Sequence, residues 1–188
     1  MKSMGKGRAA VDVLTDPLLG GVAQATNFNT LLTEVLIPNI GMYQLFVLVV
    51  DRDGNQARRG ALRALETKLQ SALNECSTTA HLFVSECAYQ EIEVWTLAGL
   101  DLPSDWSWRE VRADRDPNER FFSEYARIRS VSRKPGGGRV CLGIEAARNY
   151  KRIRLLCPEV AHLEARISDY INSGAISGEP FDDRNRGD

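Results

Sequence analysis

At 188 residues, with 43% hydrophobic and 26% charged side chains, the chain has the size and composition of one globular domain. A formal net charge of −1 excludes a global field that would draw the whole protein to nucleic acid or to a membrane. The charge is uneven, however: residues 109–154 hold 13 Lys and Arg against 6 Asp and Glu, a local +7 that leaves −8 elsewhere. A solvated surface with scattered ion pairs accounts for that imbalance as readily as an anion-binding face does.

The cysteines form no C-x-x-C pair and have no histidine at zinc spacing, so Cys76, Cys87 and Cys157, near apolar segments, read as buried reduced thiols. His81 and His162 are isolated in the sequence and read as structural. No apolar run approaches the roughly 18–20 residues of a membrane span, and the first residues do not open as a signal peptide. A cytoplasmic protein with no membrane partner is expected.

In chain order, Arg8–Thr15 reads as a short strand closed by Asp16-Pro17. Thr26 or Asn27 caps a helix with apolar positions Phe28, Leu31, Leu32, Val35 and Leu36, ended by Pro38, Asn39 and Gly41. Gln44–Val50 is a continuous apolar run suited to a strand buried on both faces, and it stops at Asp51-Arg52-Asp53-Gly54-Asn55. A long helix follows, with the stripe Leu62, Leu65, Leu69, Ala72, Leu73 and Cys76. Ala80–Ser85 is another strand, ending at Glu86, and Tyr89–Ala98 reads as a helix stopped by Gly99. Alternating strands and helices call for a parallel sheet with right-handed crossovers.

Beyond residue 100 comes a loop with Trp106 and Trp108, then a charged stretch anchored by Phe121, Phe122 and Tyr125. Ser132–Arg139 reads as a flexible basic loop. Two helices, 145–156 and Pro158–Ile171, close the fold. The expected organisation is a single α/β domain over 1–172, with its core at about 8–99, a helical part at 119–172 and a disordered polar tail at 173–188. Three strands make a thin sheet against a usual four to six. A partner strand, a second copy or a missing N-terminal strand would complete it.

The acids carry the chemical signal. Asp51 and Asp53 at a strand tip form a hard oxygen site of the kind Mg²⁺ prefers, at the sheet edge where open α/β folds bind ligands. If the two strands are parallel neighbours about 4.8 Å apart, Glu86 converges on Asp51. Gln90 and Glu93 share a helix face, and Glu93 joins the cluster while Glu91 points to solvent. Clustered carboxylates repel unless a cation neutralises them. Turn and helix-cap chemistry explains Asp53-Gly54-Asn55 but leaves Asp51 unexplained. Arg133, Lys134 and Arg139 flank three glycines and are candidate phosphate or nucleic-acid contacts, although an incidental surface loop is the plainer reading.

Three schemes share D-x-D-G. A calcium loop would need a helix before Asp51 and further acids after it, and neither is present. A haloacid-dehalogenase-type phosphatase shares the strand and D-x-D but would have Thr or Val where Asn55 stands. The third is the Toprim domain of topoisomerases, primases and overcoming-lysogenization-defect nucleases. Val49-Val50-Asp51-Arg52-Asp53-Gly54, a helix, and a strand entering Gln90-Glu91-Ile92-Glu93-Val94-Trp95 resemble a Toprim-like family of bacterial proteins.

The resemblance spans roughly 11–98. It implies a three-layer Toprim-like sheet, a Mg²⁺ or Mn²⁺ cofactor on Asp51 and Asp53, and Glu91 and Glu93 at the family's helix. It also implies phosphodiester chemistry on DNA or RNA; Glu86 and Glu93, from their placement at the sheet edge, are the candidate catalytic carboxylates. Toprim domains carry a glutamate at the end of their first strand; here Arg8–Thr15 aligns better with the second strand, so the chain is expected to lack the first. A non-catalytic interaction module, docked through its incomplete sheet, is the alternative, and a small-molecule phosphatase the third.

Overall fold

The computed structural model describes residues 22–173, so the expected 8–15 strand and the tail beyond Ser173 lie outside the described residues. After the short helix α1 (Val22–Ala25), Asn27 caps α2 by accepting the Thr30 N–H at 3.1 Å. Helix α2 covers 28–39 and is π-wound over Leu31–Leu36, with Leu31 and Leu36 turned into the core. Strand β1 (Leu45–Asp51), helix α3 (Arg58–Cys76) and strand β2 (Leu82–Ala88) follow. The two strands pair in parallel from Leu45 opposite Leu82 to Asp51 opposite Ala88. Among the described residues this is the whole sheet: an α/β architecture with a small two-stranded parallel sheet flanked by helices.

Strand alternation puts Leu48, Val50, Phe83 and Cys87 on one sheet face, where they join Leu31, Leu36 and the α3 stripe Leu62, Leu65, Leu69 and Leu73 in one core. Leu69 and Leu73 are fully enclosed, and burial of each contributes roughly 1.5–3 kcal/mol. Cys76, expected in this stripe, is exposed at the last turn of α3, while Cys87 and Cys157 are buried thiols. The opposite sheet face is less covered, and Val47 on it is 45% exposed.

Side chains seal the outer edge of β2. Gln70 accepts the Phe83 N–H at 2.9 Å and donates to the His81 carbonyl, Glu66 accepts the Ser85 N–H at 2.6 Å, and Arg166 donates to the Ser85 carbonyl. With its backbone groups satisfied, that edge does not offer a template for another strand. Among the described residues, no strand pairs with the far edge of β1.

The second half is helical: α4 (Glu93–Ala98), α5 (Trp108–Ala113), α6 (118–128, π-wound over Asn118–Phe122), a 3₁₀ turn (Pro135–Gly138), α7 (Arg139–Ala147), α8 (Tyr150–Leu156) and α9 (Pro158–Asn172). A second core joins Val94, Leu97, Val111, Phe121, Phe122, Tyr125 and Leu142. Trp106 meets the edge of Phe121 at 5.1 Å, so it anchors the 101–107 loop. The expected helix over 145–156 is two helices. Gly99 sits so close to α7 that a Cβ there would lie 2.5 Å from the Ala146 carbonyl oxygen, and Asn149 leaves the helix to donate to the Gly99 carbonyl at 2.7 Å. No described helix is long and apolar enough to cross a membrane.

Candidate functional site

The loops leaving β1 and β2 are knitted together. The Gln90 carbonyl accepts the N–H groups of Arg52 (2.8 Å) and Asp53 (3.1 Å), and its side-chain oxygen accepts the Gly54 N–H (3.2 Å). These bonds hold Gln90 at φ 66°, a left-handed conformation costing about 1–2 kcal/mol for a residue with a Cβ. Residues 89–92 are therefore a turn, not the first turn of the expected helix, which begins at Glu93. The turn brings the Ile92 N–H to Asp51 Oδ1 at 2.7 Å. On the β1 side, Asp53 at φ 46° and Gly54 at φ 70° reverse the chain, and Arg58 ties Asp53 (2.9 Å) to the Asp51 carbonyl (2.6 Å).

Four carboxylates meet at this edge: Asp51, Asp53, Glu91 and Glu93. Glu91, expected to face solvent, instead accepts the Asn118 N–H at 2.7 Å at the start of α6. Glu93 is buried and pairs with Arg139 Nε at 2.6 Å, while the same guanidinium reaches Asn118 Oδ1 at 3.2 Å. In every one of the four, one oxygen has a protein partner; the other makes no hydrogen bond among the described residues. Burial pushes the Asp51 carboxyl up to about 6, against the Ile92 N–H, with Glu93 and Asp53 adding to the rise. Burial likewise pushes Glu91 up to about 7, opposed by the Asn118 N–H and reinforced by Glu93, Glu119 and Asp51.

Glu86 does not converge on Asp51. The register sets it opposite Val49, because β2 continues two residues further to Ala88. Its carboxylate is 3% exposed and accepts from Arg59 (3.2 Å), the Cys87 N–H (3.0 Å) and His162 Nδ1 (2.7 Å). Of the expected phosphate contacts, Arg139 is brought to the acids by three left-handed glycines, 136–138, but is held by Glu93 there. Arg133 and Lys134 are exposed and make no side-chain hydrogen bond or ion pair among the described residues.

Sequence reasoning missed Arg52. Its guanidinium lies 4.4 Å from the Tyr89 ring centre, and Arg112 lies 4.6 Å from the same centre. Arg112 is neutralised by buried Glu159 at 2.8 Å, whereas Arg52 has no ion pair among the described residues and its buried Nε lacks a hydrogen-bond partner. The D-R-D spacing was the available signal, since strand alternation sends Arg52 away from its two acidic neighbours.

Among the described residues, no three His, Cys, Asp or Glu side chains are already gathered as a metal cage. Mg²⁺ commonly uses one or two carboxylates and keeps several waters, so Asp51 and Asp53 are the residues that could hold such an ion, as part of its shell. An apolar groove of about 570 Å³ among α4, α7, α8 and α9 lies alongside, with Ile92 on its wall. No protein-family model, curated protein or solved structure matches the chain.

Proposed function

We propose that the loop edge beyond β1 and β2 binds a divalent cation, Mg²⁺ or Mn²⁺, and that the protein is a Toprim-like phosphodiester-processing protein acting on DNA or RNA. The observation that carries the reading is the raised pKa of Asp51 among Asp53, Glu91 and Glu93, each carboxylate keeping one oxygen free. Burial is the first cause of that rise and repulsion from Glu93 and Asp53 adds to it; a bound cation would offset both. Asp51 and Asp53 would hold the ion, with Glu93 or Glu91 completing its shell. When bound, the ion would stabilise charge on a phosphate oxygen or lower the pKa of a bound water. The chain's own contribution is to fix one Asp51 oxygen on the Ile92 N–H, leaving the other free, and to hold Arg139 on Glu93 near the acids for phosphate charge. Glu86, with both oxygens engaged, is a poor candidate for proton transfer at that edge.

Titration calorimetry of Mg²⁺ and Mn²⁺ against wild type and Asp51→Ala/Asp53→Ala tests the reading. Binding that vanishes in the variant supports it; a folded wild type that binds neither ion overturns it. The far edge of β1 and the half-exposed Val47 favour a second reading, a non-catalytic interaction module that docks a protein strand or a second copy. Metal-independent, salt-resistant complex formation distinguishes it from salt-sensitive nucleic-acid binding. A chromogenic phosphate ester assayed with Mg²⁺ separates the small-molecule phosphatase.

A further inference from the structure

We infer that the outer edge of β2 carries a second, oppositely charged site: a cradle for a phosphate monoester built from Arg59, Arg63 and His162 and oriented by buried Glu86. None of the four carboxylates of the loop edge contributes to it. His162 on α9 presents Nδ1 to Glu86 Oε2 at 2.7 Å, and a carboxylate there accepts, so Nδ1 carries a proton. That bond fixes the ring, and Nε2 has no hydrogen-bond partner among the described residues, on a side chain 43% exposed.

Arg59 and Arg63 stand one turn apart on α3 and line the same cleft as His162. Arg59 gives one terminal nitrogen to Glu86 at 3.2 Å and is otherwise half-exposed; Arg63 has no partner among the described residues. Arg166 is committed to Glu66 and the Ser85 carbonyl, which closes one side of the cleft. A seam that merely fastens α9 to the sheet would need the Glu86–His162 and Glu66–Arg166 pairs. It would not need Arg63, nor the donors that Arg59 leaves free beside the cleft.

Size and charge select the ligand. The cleft holds about 10 Å³, space for a single water or one ligand oxygen, so the remainder of the group sits at the mouth. Arg59, Arg63 and Arg166 against Glu66 and Glu86 leave an excess of one positive charge. A monoester is close to dianionic at neutral pH, whereas a diester carries one charge. The planar forks of the arginines suit its oxygens.

The chain has two histidines, which makes the test direct. Ring ¹⁵N–¹H correlation spectra are recorded in EDTA at constant ionic strength. The ligands titrated are inorganic phosphate, a nucleoside 5′-monophosphate and a dinucleotide lacking terminal phosphates. The His162 ring signals are expected to move saturably with the first two and not with the third. Those of buried His81, held by Ser77 and the Tyr43 carbonyl, stay put. Arg63→Ala, which removes no side-chain hydrogen bond or ion pair among the described residues, is expected to weaken binding about tenfold or more, and Asp51→Asn/Asp53→Asn to leave it unchanged. A motionless His162, an unaffected Arg63→Ala, or an equal response to the dinucleotide overturns the proposal.

Discussion

Replacing Asp51 by asparagine should make the protein more stable at pH 8. The carboxyl is raised from 3.8 to about 6, first by burial and then by Glu93 and Asp53. A shift of about two units corresponds to an upper bound of roughly 3 kcal/mol. The site is only partly buried, and screening by water reduces the expected effect to roughly 1–2 kcal/mol. The sign follows from proton binding. The folded state holds this proton more tightly than the unfolded chain, so its contribution is complete below about pH 4 and is lost as pH rises through about 6. Asparagine keeps an oxygen for the Ile92 N–H but has no charge to bury.

Urea denaturation from pH 4 to pH 8 is the assay. Wild type and Asp51→Asn should coincide at the acid end and separate above pH 6. By thermal melting at pH 8 the variant should gain about 2–4 °C per kcal/mol. Added Mg²⁺ should narrow the gap by stabilising wild type in proportion to site occupancy. If Asp51→Asn is the less stable protein at pH 8, the charged carboxylate favours the fold, and the argument from burial and repulsion fails.

Two further substitutions probe the frame that holds the site. Gly99→Ala should cost about 1–3 kcal/mol, seen as a lower urea midpoint, because its methyl would meet the Ala146 backbone rather than a yielding side chain. Arg112→Leu should cost about 3–5 kcal/mol by leaving the Glu159 carboxylate buried and unpaired, and Trp95, whose Nε1–H donates to Glu159 at 2.9 Å, should report the loss as a change in fluorescence.

The parts legible in the sequence were those governed by periodicity. Leu62, Leu65, Leu69 and Leu73 of the α3 stripe and the aromatic anchors Phe121, Phe122 and Tyr125 are buried as the pattern requires; the apolar run before Asp51 forms the expected strand, but Val47 on it is 45% exposed where burial on both faces was expected. Charged pairs separated widely in the chain were not legible. Glu93 meets Arg139, 46 residues on, and Glu86 meets His162, 76 residues on; no local pattern encodes either distance. The turn at Gln90 was hidden for a different reason. Its left-handed backbone is held by N–H donors from the β1 loop, so tertiary hydrogen bonds override the helical preference of Gln90-Glu91-Ile92.

Asp51 and Glu86 show how far environment outweighs residue type. They lie on the same face of adjacent strands, two register steps apart, and read alike in the sequence as acids closing apolar runs. Glu86 receives a guanidinium, an imidazole and a backbone N–H, which consume both oxygens and make it an organiser of the groups around it. Asp51 receives one N–H and faces Asp53 and Glu93, so it retains a free oxygen and an unfavourable charge. The neighbouring residues Arg58 and Arg59 divide between the two, one clamping the Asp53 turn and the other supporting Glu86. A cation is therefore sought at the loop edge and an anion at the outer edge of β2. Substitutions at Asp51 and at Arg63 should act on different ligands, and a double variant should lose both without either loss deepening the other.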